Sequence, residues 1–358
     1  MVKRKKVVAF VKTTYLNPTE TFIYERIKNI KRFKGYFLAD KIKNRKSFPY
    51  RKIYKLRKIK NVPRFLKAKR TSLIQAFFGP SAIRILPYKK KTSIPLISSF
   101  HGKDVSARLR DKSYKRKLRS VFRHSARVLV VSREMKRKLV RLKCPKRKIR
   151  VIKTGIDLRK FPFKLRKPPA NNRVIFLSIG RLVPKKGMDI LIEAFARVHR
   201  KYPKTRLVIV GEGRMRSKLK KRIRKEGLSS SVKLKGKLSH KGVRKELRKA
   251  HVFVLASRTA KDGDKEGIPN SLVEAMASGL PAISTTHAGI PEVLKNGKTG
   301  YLAKQGSVRS LTQQMLKMIK QKKRWKKLSR AARKLVEREH NIKKQVKKLE
   351  RIYTRVAK

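Results

Sequence analysis

"RVIFLSIGRLVPKKGMDILIEAFARVHRKY", residues 173–202, opens as an apolar run, turns through a loop bearing glycine and proline, and continues with apolar residues on one helical stripe. A strand apolar at consecutive positions needs cover on both of its faces. A helix following directly after it supplies one of those covers. The stretch therefore reads as strand, loop and helix of a parallel sheet, and the rest of the chain can be sorted against that unit.

The same unit recurs. Apolar runs stand at VVAFV (7–11), YFLAD (36–40), PLISSF (95–100), RVLVVS (127–132) and KIRVIKTGID (148–157). After a break come RLVIVGEG (206–213), VKLKG (232–236), HVFVLAS (251–257) and PAISTT (281–286). The break, KFPFKLRKPPANN (160–172), is rich in proline and polar residues, as an interdomain linker would be. At 358 residues the chain is about twice an ordinary domain. The expected architecture is α/β, two facing Rossmann-like domains with parallel sheets. The first domain is expected over 1–165 and the second over 166–335, with a final helix over 336–358 able to pack back on the first. In such sheets ligands gather at the carboxyl ends of the strands. Two such crevices would face each other and close about the Pro-rich hinge.

Composition sets the electrostatic frame. Lysine and arginine number 104 against 20 acids, a formal charge of +84. That predicts attraction to polyanions, whether nucleic acid, anionic lipid or phosphorylated substrate, and says nothing about fold. Hydrophobic residues make up 39% of the chain, enough for real cores despite the charge. The lone Cys144 excludes an internal disulfide and fits a reducing compartment. The start, MVKRKKVVAFVK, is basic like a leader, but its apolar run is too short for one and reads as a first buried strand.

Against this basic background the acids draw attention, above all in "KDGDKEGIPNSLVEAMASGLPAIS" (261–284). Pro269, with no N–H and a fixed φ, suits a first helical turn. Asn270, Ser271 and Leu272 would then offer free backbone N–H groups at a helix N-terminus, a ready anion site. Glu266 falls in the loop before that helix and Glu274 just over one turn inside it, so one carboxylate could meet a sugar and the other a ribose diol. The alternatives are an acidic cap for Glu266 and a surface residue for Glu274. In the opening stretch, Arg181 and Lys186 flank the loop after Gly180. A guanidinium fork and a point-charge lysine there suit a diphosphate, the alternative being solvated surface charges. Gly211-Glu212-Gly213 follows another strand and would let backbone approach a ligand closely.

Together these pieces resemble the GT-B glycosyltransferases of family 4. The resemblance rests on the GR-x4-KG loop at Gly180–Gly187, the GEG turn, the E-x7-E pair Glu266 and Glu274, and MASGLPAISTTHAGIPEVLKNGKTGYLA (276–303). In the first half, NPTETFIYERI (17–27), SFHGKDVS (99–106) and VIKTGID (151–157) are similar to the subgroup that builds exopolysaccharide, colanic acid and lipopolysaccharide. The resemblance implies a GT-B fold and a retaining transfer from a UDP- or GDP-sugar to a glycan or polyprenyl-diphosphate-linked acceptor, with no cofactor and no obligatory metal. It implies that Arg181, Lys186, Asn270, Ser271 and Leu272 hold the donor diphosphate. Gly211, Glu212, Gly213 and Glu274 would meet the nucleoside. Glu266 would bind donor-sugar hydroxyls, and His101 would reach the transferred sugar; the alternative for His101 is a helix-entry residue beside Gly102 and Asp104. The chain departs from the pattern after its first strand, where TTYLNPTETF (13–22) has no glycine.

Two other classes remain in view: a nucleic-acid-binding protein using the positive charge, and another GT-B enzyme such as a sugar-nucleotide epimerase. The basic residues are spread along both halves, and no zinc spacing, aromatic RNA-binding motif or basic zipper accompanies them. No specific nucleic acid is therefore expected. A cytoplasmic enzyme, peripheral at the inner face of the membrane and attracted to anionic lipid, is expected instead. Tyr114, Leu118, Val121 and Phe122 recur at helical spacing within a basic stretch (111–124). That stripe could face either a membrane or the core.

Overall fold

The computed structural model describes residues 5–357 of the chain; residues 1–4, the start of the basic MVKRKK run, lie outside them. The chain divides into two compact units, one of residues up to Asp157 together with those from His340 onward, the other Leu158–Glu339.

In the first unit seven parallel strands lie in the order Ile53–Lys55 (β3), Lys34–Lys41 (β2), Val7–Thr14 (β1), Thr71–Phe77 (β4), Leu96–Phe100 (β5), Ser125–Val130 (β6) and Ile149–Val151 (β7). Alternate residues feed opposite faces. Ala9, Val11, Leu38, Ile74 and Ala76 join one apolar cluster, while Val8, Phe10, Phe37, Leu73 and Phe77 join another. Cover on both faces is why consecutive positions of these strands are apolar. Strands β3 and β4 fall between residues 41 and 95, where the sequence pattern is weak. The interior of β4 carries Gln75, which is 1% exposed and satisfied by Ser99 Oγ at 3.1 Å and the Ala76 carbonyl at 3.3 Å.

The Lys112–His124 helix settles the open reading of the basic stretch. Tyr114, Leu118, Val121 and Phe122 are buried in the first unit's core. Its apolar stripe is therefore not a membrane-inserting face, and the polar, mostly basic residues around it meet solvent.

The C-terminal helix Ile342–Val356 belongs to the first unit and buries Leu349 and Tyr353 beside Phe33 and Ile27. It is joined there by a backbone clasp: Ile156 N–H donates to His340 O (2.8 Å) and Ile342 N–H to Ile156 O (3.0 Å).

The second unit repeats the topology. Its six parallel strands run Val232–Leu234 (β10), Arg206–Val210 (β9), Ile175–Ile179 (β8), Val252–Val254 (β11), Ala282–Thr285 (β12) and Tyr301–Ala303 (β13). Residues 160–172, expected as a linker, are held on this unit. Arg333 donates to the Phe161 carbonyl (2.9 Å), and Arg166 donates to the Leu247 carbonyl (2.8 Å) and the Ala250 carbonyl (3.1 Å). The stretch thus gives one carbonyl to an arginine of the second unit and sends its own Arg166 fork to two carbonyls there, pairings that replace a strand ladder in a proline-rich segment. In both sheets strand order reverses beside the first strand of the unit, between β1 and β4 and between β8 and β11. Such switch points open crevices at the strands' carboxyl ends.

Among the described residues no helix is long and apolar enough to cross a membrane.

Candidate active site

At the β8–β11 switch point the chain ends strand β8, turns through Pro184–Lys186 and enters the Met188–Lys201 helix. The stem of Lys186 lies against Gly180, where a side chain would press on its Cδ and Cε. That track delivers Nζ to 2.9 Å from Glu266 Oε1, with both side chains about 10% exposed. Burial alone would push the Glu266 carboxyl up, but the Lys186 and Lys185 cations outweigh it and hold the group near 2. The structure thus joins directly two residues that the sequence reading placed at neighbouring parts of one substrate.

The loop carrying Glu266 is fastened on both sides. Lys185 binds Asp264 Oδ1 at 3.1 Å and the Lys265 carbonyl at 3.2 Å. The Glu266 N–H donates to His287 Nε2 (3.1 Å), and His287 Nδ1 faces Gln305 Oε1 at 2.9 Å. With Nε2 accepting from the Glu266 N–H, Nδ1 is the nitrogen turned to donate toward Gln305. Arg258 closes the far side through Asp189 at 2.7 Å and the Pro184 carbonyl at 3.2 Å. Sequence reasoning passed over Lys185, Asp264, His287 and Gln305. The signal was the Lys185-Lys186 doublet, since adjacent residues of a tight turn point to different partners.

The Asn270–Ala277 helix begins where expected, with Pro269 at its N-cap. Ser271 Oγ donates to the Ile179 carbonyl at 2.8 Å, which locks this N-terminus to the end of β8. One expectation needs correcting. The Leu272 N–H turns back to the Pro269 carbonyl (3.2 Å) and so is not a free donor. The N–H groups of Asn270 and Ser271 take no acceptor among the described residues, and they form the exposed positive end of the helix.

Glu274 sits half-buried one turn further on, and its carboxylate makes no ion pair or hydrogen bond among the described residues. Burial pushes this carboxyl up to about 7, with Arg244 opposing. Arg181 is exposed at the tip of β8. The glycines of the GEG turn serve the chain itself. Gly211 and Gly213 have φ of +142° and +156°, and a Cβ on either would collide with the Gly180 or Leu182 carbonyl. The close approach that these glycines permit is thus to backbone of the neighbouring loop. Glu212 is paired with Arg216 at 2.9 Å in solvent.

His101 lies in the first unit at the end of β5. Its backbone N–H, with those of Gly102 and Gly79, points at the buried Asp104 carboxylate (3.2, 2.8 and 3.3 Å). The imidazole itself has both nitrogens shut from solvent and without a hydrogen-bond partner. Burial, together with Arg26 and Lys12, pushes it well below the ordinary histidine range, so the ring is neutral.

A helix N-terminus with two backbone N–H groups that take no acceptor among the described residues, a buried lysine–carboxylate pair and a half-buried second carboxylate stand on the loops about the switch point of a doubly wound sheet, in a chain of the GT-B kind. Residues 160–335 match the family described as glycosyl transferases group 1, and residues 24–160 match glycosyltransferase family 4. The chain belongs to these glycosyltransferases. It is 35% identical over 261 residues to the amylovoran biosynthesis glycosyltransferase AmsK of Erwinia amylovora, a match covering 73% of this chain and 64% of that one. The chain thus spans somewhat less than two thirds of that relative. Among solved structures it resembles Anabaena Alr3699/HepE in complex with UDP and glucose, with a TM-score of 0.82 and 16% identity, covering 98% of this chain and 100% of that one. A glycosyltransferase from Rickettsia africae ESF-5 gives a TM-score of 0.81 at 17% identity, covering 99% of this chain and 100% of that one. At such identities the likeness is one of fold.

Proposed function

We propose that the chain is a retaining glycosyltransferase that moves a sugar from a UDP- or GDP-sugar to a glycan or lipid-linked acceptor in cell-surface polysaccharide synthesis. The Lys186–Glu266 pair beside the free N–H groups of Asn270 and Ser271 carries this reading. In the reaction, charge develops on the departing diphosphate, and fixed donors aimed there are worth about 3–4 kcal/mol each. Arg181, Lys186 and the helix N-terminus take the diphosphate. As its oxygens engage Lys186, the Glu266 carboxylate is released to accept hydroxyls of the donor sugar. Glu274 accepts from the ribose, in its ionised form. His101 contributes to catalysis from the first unit, which is the acceptor side, while the second unit is the donor side. The relatives support this reading by name: AmsK is named for amylovoran biosynthesis, and the Anabaena structure contains UDP and glucose.

Purified protein incubated with a panel of UDP- and GDP-sugars, with and without polyprenyl-diphosphate-linked acceptor, should release one free nucleoside diphosphate in an acceptor-dependent way. Release of neither nucleotide from any donor would overturn the assignment. The product's anomeric configuration, read by NMR, should equal that of the donor.

The basic face of the Lys112–His124 helix supports a peripheral site of action. Lys112, Lys115, Arg116, Lys117, Arg119 and Arg123 are all exposed on it. Each contributes roughly 1 kcal/mol beside anionic headgroups. Co-sedimentation with anionic vesicles should fall more when these six are neutralised than when six basic residues of 311–358 are. Equal losses would leave only nonspecific attraction.

A further inference from the structure

The helix that carries Asn270, Ser271 and Glu274 is held at its far end by an arginine from a later helix of the same unit. The Asn270–Ala277 helix is eight residues long, about 10 Å from end to end. Its last four carbonyls have no partner inside the helix. Those of Glu274, Ala275 and Met276 are taken by the residues that follow, through the N–H groups of Ser278 (3.0 Å), Leu280 (3.1 Å) and Gly279 (3.2 Å). That reversal places Gly279 at φ +86°, a region that favours glycine. The fourth, the Ala277 carbonyl, accepts from Arg333 Nη1 at 2.8 Å.

Arg333 stands on the Trp325–Glu339 helix with its side chain 16% exposed. The same Nη1 donates to the Phe161 carbonyl (2.9 Å) and Nε to Glu337 Oε1 (2.6 Å), so three acceptors fix the plane of the guanidinium. Its Cζ lies 5.9 Å from the centroid of the Phe163 ring. Lys164 completes the clamp. Its N–H donates to the Ser278 carbonyl (3.3 Å), and its own carbonyl lies so close to Gly279 that a Cβ there would collide with it. Ser278 Oγ in turn donates to the Glu274 carbonyl at 2.9 Å. Ala277, Ser278 and Gly279 have little side chain to key this end into its surroundings, and Arg333 with the 161–164 segment supplies the hold instead.

We propose that Arg333 is a positioning residue for the nucleotide donor, acting through the Asn270–Ala277 helix and not on the ligand; the inference rests on the glycosyltransferase reading above. The helix is pinned at one end by Ser271 Oγ on the Ile179 carbonyl and at the other by Arg333. With the second pin removed it can swing about the first. A swing of about 20° moves Glu274, roughly 4.5 Å along the axis, by about 1.5 Å and turns the Asn270 and Ser271 N–H groups through the same angle. Hydrogen bonds weaken steeply as they leave the line between donor and acceptor, so ribose and diphosphate are both held less well. The guanidinium also sets a cation at the negative end of the helix dipole, which a lysine would keep while losing the planar fork.

The test measures, on the full chain, the Kd for UDP or GDP, whichever the wild type binds, by calorimetry, and stability by urea unfolding. Arg333→Gln should raise the Kd about tenfold, and Arg333→Lys should fall between it and the wild type. Tyr301→Phe separates positioning from stability: it removes a buried hydroxyl that donates to Gln321 Oε1 at 2.6 Å, away from the donor helix. It should lower the urea midpoint and leave the Kd within about twofold. A Kd within twofold in Arg333→Gln would reduce Arg333 to a stabilising contact and overturn the proposal. An equal rise in Tyr301→Phe would overturn it too, since any loosening of the unit would then weaken the donor. If Arg333→Gln fails to fold, Arg333→Lys decides alone: a Kd raised more than twofold supports the proposal, and one within twofold overturns it. Failure of the glycosyltransferase reading would appear separately, as a wild type that binds neither UDP nor GDP, and the proposal would fall with it.

Discussion

Replacing Lys186 by methionine keeps the aliphatic stem against Gly180 and removes only the charge that Glu266 depends on. The Glu266 carboxyl moves from an ordinary 4.5 to about 2 in the folded protein. A shift of that size corresponds to about 3 kcal/mol of stability. Because the folded value is the depressed one, this contribution is complete above the unfolded carboxyl's range and is lost as pH falls through about 2. At pH 7 the Lys186→Met variant should therefore lose about 3 kcal/mol, the cost of a buried carboxylate deprived of its cation. Lys185 cannot take over, being committed to Asp264 and the Lys265 carbonyl. The double variant Lys186→Met with Glu266→Gln has no uncompensated charge and should regain most of the loss. Transfer should behave differently. It should fall by at least about 10²-fold in the single variant and stay down in the double, since neither the cation nor the carboxylate has returned. Urea unfolding can be followed through Trp325, the chain's one tryptophan, which is 1% exposed in the second unit. A Lys186→Met variant within about 0.5 kcal/mol of wild type, or a double variant as unstable as the single, would refute the electrostatic account.

Other consequences follow from the same site. Because burial lifts the Glu274 carboxyl to about 7, its ionised, hydroxyl-accepting form grows as pH rises from 6 to 8, and UDP should bind more tightly across that window; Glu274→Gln should flatten the profile, and an unchanged slope would remove Glu274 from the nucleoside site. Gly211→Ala forces a side chain into the Gly180 carbonyl and should cost at least about 2 kcal/mol in urea unfolding, so a near-neutral result would contradict the close approach seen there. Arg181, exposed and unpaired among the described residues, should tolerate alanine within about 0.5 kcal/mol of stability while calorimetry shows UDP binding weakened roughly tenfold or more. Unchanged affinity would leave it a solvated surface charge.

How much of this was legible before the fold was seen differs from element to element. Runs such as RVIFLSIG and RLVIVGEG announce buried parallel strands because both faces must be apolar, and Pro269 announces a helix start because it has no N–H to lose. Strand β4 was missed since its buried Gln75 breaks the pattern, its amide being satisfied by Ser99 on the neighbouring strand. The apolar stripe of the Lys112–His124 helix was readable as a stripe, but only its packing showed that it turns inward.

In the candidate site, the sequence by itself determined residue types and their spacing along the chain: Glu266 and Glu274 about one helix start, and Arg181 and Lys186 about one strand end. Tertiary structure decided the pairings. It sent Lys186 to Glu266 and Lys185 to Asp264, withdrew the Leu272 N–H into the Pro269 carbonyl, and gave the GEG glycines to the neighbouring backbone. It also brought together Phe22, Phe78 and His101, which no local pattern connects. The physical reason is one of range. Periodicity, capping and turn chemistry act within a few residues and are written in the order of the chain, whereas ion pairs, ring contacts and close backbone approaches depend on which strands the parallel topology sets side by side.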